Sequence, residues 1–344
     1  MTGARGSVGG TCGLDVRPRA CYGEARFGNG TMWLALYLRL QREGLRLVLR
    51  PLDEGRRKRA ERWHRGLEDH LQLRRADAVV VSFGKSGRTW LRTLLSRYYQ
   101  LRGGLSPRTL IGMHNLARGR VPRIFFTHDN YLKDFTGHRD DKRDYYDRRV
   151  VLLVRDPRDV AVSQFFQWKY RMRDAKKWIN DYPRGEVSLF DFVMGPAGLA
   201  RVIDFLNGWA RELDRLRALH LLRYEDLRAD TEGELARLLA FLGERPDPGA
   251  VAESVRYASV ENMRRLEAER RLWLAGRRLR PGDRANPESY KVRRAKVGGY
   301  RDYFDDRQVE AIDALLAARL DPVFGYQAVS GEGERELQTR VHPC

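Results

Sequence analysis

The sequence predicts an α/β fold in which helices flank both faces of a central parallel sheet. Two observations point there: short apolar runs each followed by a helical pattern, and polar chemistry gathered at the ends of those runs. Ala78–Phe83 precedes a helical pattern over Trp90–Tyr99, Arg149–Val154 precedes Val160–Tyr170, and Leu219–Arg223 precedes Glu232–Leu242. A fourth run, Arg123–Thr127, stands between the first two. Strands that are apolar throughout, rather than alternating, suit a sheet covered on both faces. Such a sheet places its ligands beyond the carboxyl ends of its strands. Further helices are expected at Gly198–Leu216 and Asp306–Leu320. The charged, aperiodic stretch Leu274–Val297 is expected to be a loop.

A chain of 344 residues can bury one large core. A single domain is expected over residues 76–326, preceded by a basic amphipathic helical lead-in over 31–75. Residues 1–30 and 327–344 are expected to be disordered. No stretch reaches the roughly 18 uncharged apolar residues of a membrane-spanning helix, and the first twenty residues lack the hydrophobic region of a secretory signal. Cysteine occurs only at Cys12, Cys21 and Cys344, which excludes a disulfide framework or a cysteine zinc site in the body and favours a reducing, cytoplasmic setting.

The net charge of +19 raises a nucleic-acid partner as an alternative. That class needs an aromatic-interleaved groove or a recognition helix, and neither is visible, so no nucleic acid is expected. The charge concentrates instead at Arg264–Arg301, with 13 basic and 4 acidic residues. Arginines outnumber lysines 56 to 9, which makes each retained lysine a position to weigh for a role of its own. Over Trp33–Leu49, basic residues interleave with Trp33, Leu36, Leu40, Leu47 and Val48. A helix packed on the domain's own core and a helix touching an anionic membrane both fit that pattern.

The first chemical constellation is Ser82-Phe-Gly-Lys-Ser-Gly-Arg-Thr-Trp90. A strand ends, Gly84 and Gly87 permit a tight turn, and a helix begins. Free N–H groups, the helix dipole and the Lys85 ammonium together make an anion site. A Walker A loop needs a glycine six residues before the lysine; Val79 stands there, which disfavours a nucleotide triphosphatase. A plain glycine turn is the alternative. In the second constellation, Arg155 leaves a strand end, Pro157 suits a first helical turn, and Ser163 follows two turns later. Arg155 and Ser163 could then share a phosphate. Among seven histidines, His128 alone directly follows a predicted strand of the sheet, between these two motifs.

These segments resemble the cytosolic sulfotransferase family over about residues 76–304. Lys85, Ser86, Gly87, Thr89 and Trp90 match its 5′-phosphosulfate loop, PKSGTTW, while Gly84 replaces Pro and Arg88 replaces Thr. Arg155–Ser163 resembles its 3′-phosphate motif, RNPKDVAVS, with the spacing kept. Tyr224, in a segment resembling YEDL, inherits a place near the adenine. Ala258–Met263 resembles the segment touching the adenosine, with Ser259 and Met263 the best matches; a helix capped by Ser259 is the alternative. Arg293–Arg301 resembles the RKGxxGDW loop: Arg293 matches, Arg294 stands for Lys, Ala295 for Gly, and Gly299-Tyr300 for Asp-Trp. Phe126-Thr-His128 resembles KTH, with Phe126 in place of the lysine, so that lysine's charge is expected to be missing.

The resemblance implies a P-loop-like three-layer α/β fold. It also implies transfer of a sulfuryl group from 3′-phosphoadenosine-5′-phosphosulfate (PAPS) to a hydroxyl or amine, with no metal. His128 would be the general base, Lys85 and the loop with Arg88 would meet the leaving phosphate, and Trp90 and Tyr224 would meet the adenine. Arg155, Ser163, Arg293 and Arg294 would hold the 3′-phosphate. The acceptor stays open among small molecules, glycans and lipids. A donor-binding protein without catalysis is the rival within the family. Phe165, Phe166, Trp168, Tyr170, Trp178 and Tyr182 fit either an acceptor pocket or the core.

Overall fold

The computed structural model describes residues 41, 44, 48–269, 282–283, 285–293 and 295–327. The expectations for residues 1–30 and 328–344, for most of Trp33–Leu49, and for Arg294 lie outside them.

Four strands form one parallel sheet: β1 (Ala78–Val81), β2 (Ile124–Thr127), β3 (Arg149–Val154) and β4 (Ala218–Arg223), in the order β2-β1-β3-β4. Val79 pairs with Phe125 on one side and Val150 on the other, and Val150 pairs with Leu219. Because side chains alternate across a strand, each apolar run serves two cores. Val79, Val81, Val150, Leu152 and Val154 face one with Phe165, Phe192 and Trp209; Ala78, Val80, Val151 and Leu153 face the other with Leu91, Leu94 and Leu235. That double burial explains why β1 and β3 read as apolar runs, while the less buried β4 admits His220.

The helices are α1 (Glu54–Arg75), α2 (Arg88–Arg102), α3 (Leu132–Thr136), α4 (Pro157–Tyr170), α5 (Asp174–Ile179), α6 (Leu189–Met194) and α7 (Leu199–Ala210). After β4 come α8 (Tyr224–Ala229), α9 (Thr231–Phe241), α10 (Pro248–Tyr257), α11 (Val260–Glu269) and α12 (Asp306–Arg319). Each of the first three strands ends in a turn that delivers polar residues to the same edge of the sheet. Pro157 opens α4 behind Asp156, whose carboxylate accepts from Arg158 N. The helix expected over Gly198–Leu216 ends at Ala210, because the chain must turn through Leu213–Arg215 before Arg217 N donates to Tyr146 O at 2.9 Å and β4 begins.

Helix α1, capped by Asp53, lies against α3. Gly66 is the point of closest approach: a Cβ there would stand 2.4 Å from Tyr131 O and 2.8 Å from Phe135 Cβ. Arg62 adds bonds to Asp134, to Ile179 O and to Asn130 O, fixing the segment just past His128. Gly66→Ala should destabilise the protein by about 1–3 kcal/mol through overpacking, a fall in Tm of roughly 2–4 °C per kcal/mol for a chain of this size. Gly208→Ala, in α7 with open space around it, should leave Tm unchanged or raise it. Thermal unfolding of both variants checks the pair.

Candidate functional site

A cavity of about 960 Å³ opens at the carboxyl edge of the sheet. Lys85, Gly87, Arg88, Thr89 and Trp90 reach it from the turn after β1, His128 from the end of β2, Arg155 and Ser163 from the turn and helix after β3, and Tyr224 from the end of β4. Met263 and Arg293 complete the set expected from sequence. Ser86 is buried behind the loop rather than on the cavity wall. Ser259 is elsewhere engaged: its Oγ accepts from Asn262 N at 3.2 Å, capping α11, while Ala258, Val260 and Met263 form the wall.

The loop is under backbone strain. Lys85 holds φ of 77°, the left-handed region that costs a non-glycine residue about 1–2 kcal/mol. Gly87 holds φ of 94°, and a Cβ there would meet the Tyr224 ring at 2.6 Å. No side chain caps α2 at Gly87, so the helix start presents backbone N–H groups and positive dipole to the cavity. Burial, with Arg171 and Arg293 nearby, lowers the Lys85 pKa to about 7 against the opposing pull of Glu267. Burial and the Lys85 charge push Lys291 well below the usual lysine range as well.

His128 has its protonation written by its partners. Ser82 O lies 2.7 Å from Nδ1, and a carbonyl can only accept, so Nδ1 carries the hydrogen. Arg88 Nη2 lies 2.6 Å from Nε2, and a guanidinium can only donate, so Nε2 offers its lone pair. Burial, Arg88 and Lys176 hold the ring well below the ordinary histidine pKa, and it is neutral.

Asp159 joins the other motifs. Its carboxylate accepts from Arg155 at 3.0 Å, from Gly298 N at 3.0 Å and from Tyr300 N at 2.9 Å. Arg155 also donates to Lys296 O and lies 4.4 Å over the Tyr224 ring. Arg293 pairs with Glu288 at 2.6 Å, donates to the Tyr303 hydroxyl and stacks on Phe166 at 3.8 Å. Trp90 donates to Ala258 O and meets Tyr224 edge-on. Fully buried Glu267 accepts from Arg171, Lys291 N and Val292 N, anchoring the basic loop to α11.

The charge expected to be missing at Phe126 returns from another element. Arg92 of α2 lies 3.8 Å over the Phe126 ring and lines the cavity. Of the ambiguous aromatics, Phe165, Phe166 and Trp168 are core, Trp178 bonds to Glu54 at the surface, and Tyr170 and Tyr182 line the cavity. Asp159, Lys176, Arg201, Glu267 and Lys291 were not singled out from sequence. The scarcity of lysine was a usable signal for two of them: Lys85, Lys176, Lys291 and Lys296, four of nine, line the cavity.

Comparison with known proteins gives this geometry a class. Residues 146–323 match the sulfotransferase domain family, and the chain belongs to it. Membership makes it a PAPS-dependent sulfotransferase. Human sulfotransferase 2A1 is 24% identical over 272 residues, covering 74% of this chain and 88% of the relative. Cytosolic sulfotransferase 3 of Arabidopsis thaliana is 24% identical over 259 residues, covering 71% and 76%. Among solved structures, mouse sulfotransferase SULT7A1 complexed with PAP aligns at a TM-score of 0.49 and 20% identity, over 73% of this chain and 89% of that one.

The depressed lysines yield a prediction. At pH 8, Lys85 is mostly neutral in the empty cavity, and an anion beside it raises its pKa. Binding of PAP (3′-phosphoadenosine 5′-phosphate) should therefore take up protons at pH 8 and fewer at pH 6, where Lys85 is already charged. Calorimetry in buffers of differing ionisation enthalpy measures the uptake; Lys85→Met should reduce it.

Proposed function

We propose that His128 is the general base of sulfuryl transfer and that Lys85 and its loop stabilise the leaving 5′-phosphate. The observation that carries this is the neutral His128 ring at the cavity wall, with Nδ1 committed to Ser82 O and Nε2 left as the acceptor nitrogen, bonded to Arg88 of the anion loop. In this reading Nε2 takes the acceptor's hydroxyl proton as its oxygen bonds to sulfur. The sulfur–oxygen bond to the 5′-phosphate breaks in line, leaving a sulfate ester and PAP. Lys85, the N–H groups at the start of α2 and Arg88 meet the negative charge that grows on the departing phosphate. Lys85 gains most there, since the anion restores the proton that burial disfavours.

Arg155, Ser163 and Arg293, with Arg294 beside it in sequence, are proposed to hold the 3′-phosphate, and Trp90 and Tyr224 the adenine. Arg155 and Arg293 are braced by Asp159 and Glu288, so they enter the complex with little side-chain freedom left to lose. Arg88 has two duties in sequence. It occupies Nε2 of His128 when no acceptor hydroxyl is there, and the donor's anionic groups supply its replacement partner when one arrives. The acceptor is a small molecule bearing a hydroxyl or amine, and a cytoplasmic setting suits the cysteine-free body.

His128→Ala should lower kcat by about a hundredfold or more while PAP affinity, measured by calorimetry, stays near wild type. Near-normal turnover in that variant would move the base elsewhere. The acid limb of wild-type kcat/KM should lie well below pH 6.5, because only neutral imidazole accepts the proton and His128 is held neutral. In Arg88→Thr, with one depressing charge gone, that limb should move up in pH. A limb that does not move separates Arg88 from the base.

A further inference from the structure

Next to His128, the cavity wall is polar and positively charged. Gln164 stands next to the histidine: its Oε1 and the His128 Cε1 lie 3.2 and 3.9 Å from where a Cβ on Gly84 would be. Gln164 Nε2 donates to the Tyr182 hydroxyl at 2.8 Å, and the Arg201 guanidinium lies 4.9 Å over the Tyr182 ring. Arg201 Nη1 donates to Asn180 O at 2.7 Å, and Asn180 Nδ2 reaches back to Lys176 O at 3.0 Å. Gln164, Lys176, Asn180, Tyr182 and Arg201 all line the cavity, so this bonded chain forms one continuous wall.

The wall is short of negative charge. Among the described residues, twelve that line the cavity are Lys or Arg, and the one carboxylate, Asp159, is taken by Arg155 and two backbone N–H groups. Arg155, Arg171, Arg293 and Lys296 have carboxylate partners. Lys176 and Arg201 have none among the described residues. Lys176 is accessible, yet what it faces is the cavity, and burial together with Arg88 and Arg65 lowers its pKa. An apolar acceptor seated here would take both cations out of water with nothing to pair them, the costliest way to fill a pocket. Arg201, held by backbone carbonyls and a tyrosine ring, is already oriented for an anion.

We infer that the acceptor is a polar, anionic small molecule: a hydroxyl compound whose carboxylate, phosphate or sulfate ester is met by Lys176 and Arg201 while its hydroxyl meets His128. The inference rests on the proposed donor site and on His128 as base. It fixes the substrate class, since the anionic group supplies binding and orientation, and it sets this wall apart from one built for a neutral steroid or phenol.

The test uses protein saturated with PAP, so that probe anions cannot bind in the donor half. Calorimetry would compare 4-hydroxyphenylacetate with 2-(4-hydroxyphenyl)ethanol and tyramine, and methyl β-D-glucuronide with methyl β-D-glucoside. The carboxylate member of at least one set should bind about tenfold or more tighter than its neutral partner, with tyramine weakest. Lys176→Met and Arg201→Met should each remove most of that preference with PAP affinity unchanged, and Lys176→Arg should keep it. Equal binding of neutral and anionic members, no binding by any probe, or a preference that survives both methionine variants would overturn the inference. The initial PAP titration reports separately on the donor reading: a wild type that fails to bind PAP would bring down that reading first, and the acceptor assignment with it.

Discussion

The carboxylate of Asp159 is the constraint on which the geometry of the site depends. It lies one turn into α4, four residues after Arg155, and receives the Arg155 guanidinium and the N–H groups of Gly298 and Tyr300. Two segments far apart in sequence are thereby brought to one point, and the second of them carries Arg293. Arg155 extends the junction by reaching Lys296 O and lying over Tyr224, whose ring in turn fills the space that Gly87 leaves. Burial, with the Asp156 charge adding to it, leaves the Asp159 pKa raised, while Arg155 and the Tyr300 N–H work against the shift. A buried pair of this kind adds little net stability, because desolvation consumes most of the Coulombic gain; removing one partner costs about 3–5 kcal/mol. Its value is positional. Arg158 makes a parallel junction, bridging Asp156 and Asp313 and so holding α12 against α4, with the Tyr300 hydroxyl on the same Asp313 oxygen.

The electrostatics of the cavity follow from crowding cations at the edge of a buried sheet. Lys85, Lys176, Lys291 and His128 all shift toward the neutral form, burial leading in each case and a neighbouring cation second. Each shift is a measure of how much the site gains when an anion enters, since the protonation that burial disfavours is then favoured. For the lysines, in the mechanism proposed above, this would help binding and stabilisation of the leaving group. For His128 the same repulsion does something different: it keeps the imidazole in the only form able to accept a proton.

Much of this was legible in the sequence, and the failures have physical reasons. The four strands lie within two residues of their expected bounds, because burial on both faces makes the central β1 and β3 strongly apolar runs that mark the sheet. That the two glycine- and proline-marked turns and His128 share one edge was legible because a strand end, a turn and a helix start are local features, and a parallel sheet puts all such ends together. Ser259 could not be decided, since a hydroxyl before a helix is equally a cap and a ligand contact; here it caps. Phe165, Phe166 and Trp168 were ambiguous because α4 is buried on nearly all sides, leaving no polar face to orient them. Arg201, Lys176 and Glu267 belong to helices distant in sequence, and only the tertiary fold brings them to the cavity.

The departures from the family's motifs make sense as a redistribution of charge. Phe126 replaces a lysine at the end of β2, but α2 runs alongside and supplies two arginines one turn apart, Arg88 and Arg92. Arg92 sits on the face of Phe126, where the ring quadrupole attracts a cation and the aromatic fills volume an ammonium would leave wet. Arg88 reaches His128 directly. A flexible lysine would contribute one mobile positive charge; a stacked guanidinium is planar, always protonated and held in one orientation. With Phe126 in place of lysine on the strand, the helix carries the charge instead: Arg88 beside His128 and Arg92 over Phe126. If His128 is the base proposed above, a ring held neutral by its surroundings needs the field to be strong there, and Arg88 beside Nε2 supplies it.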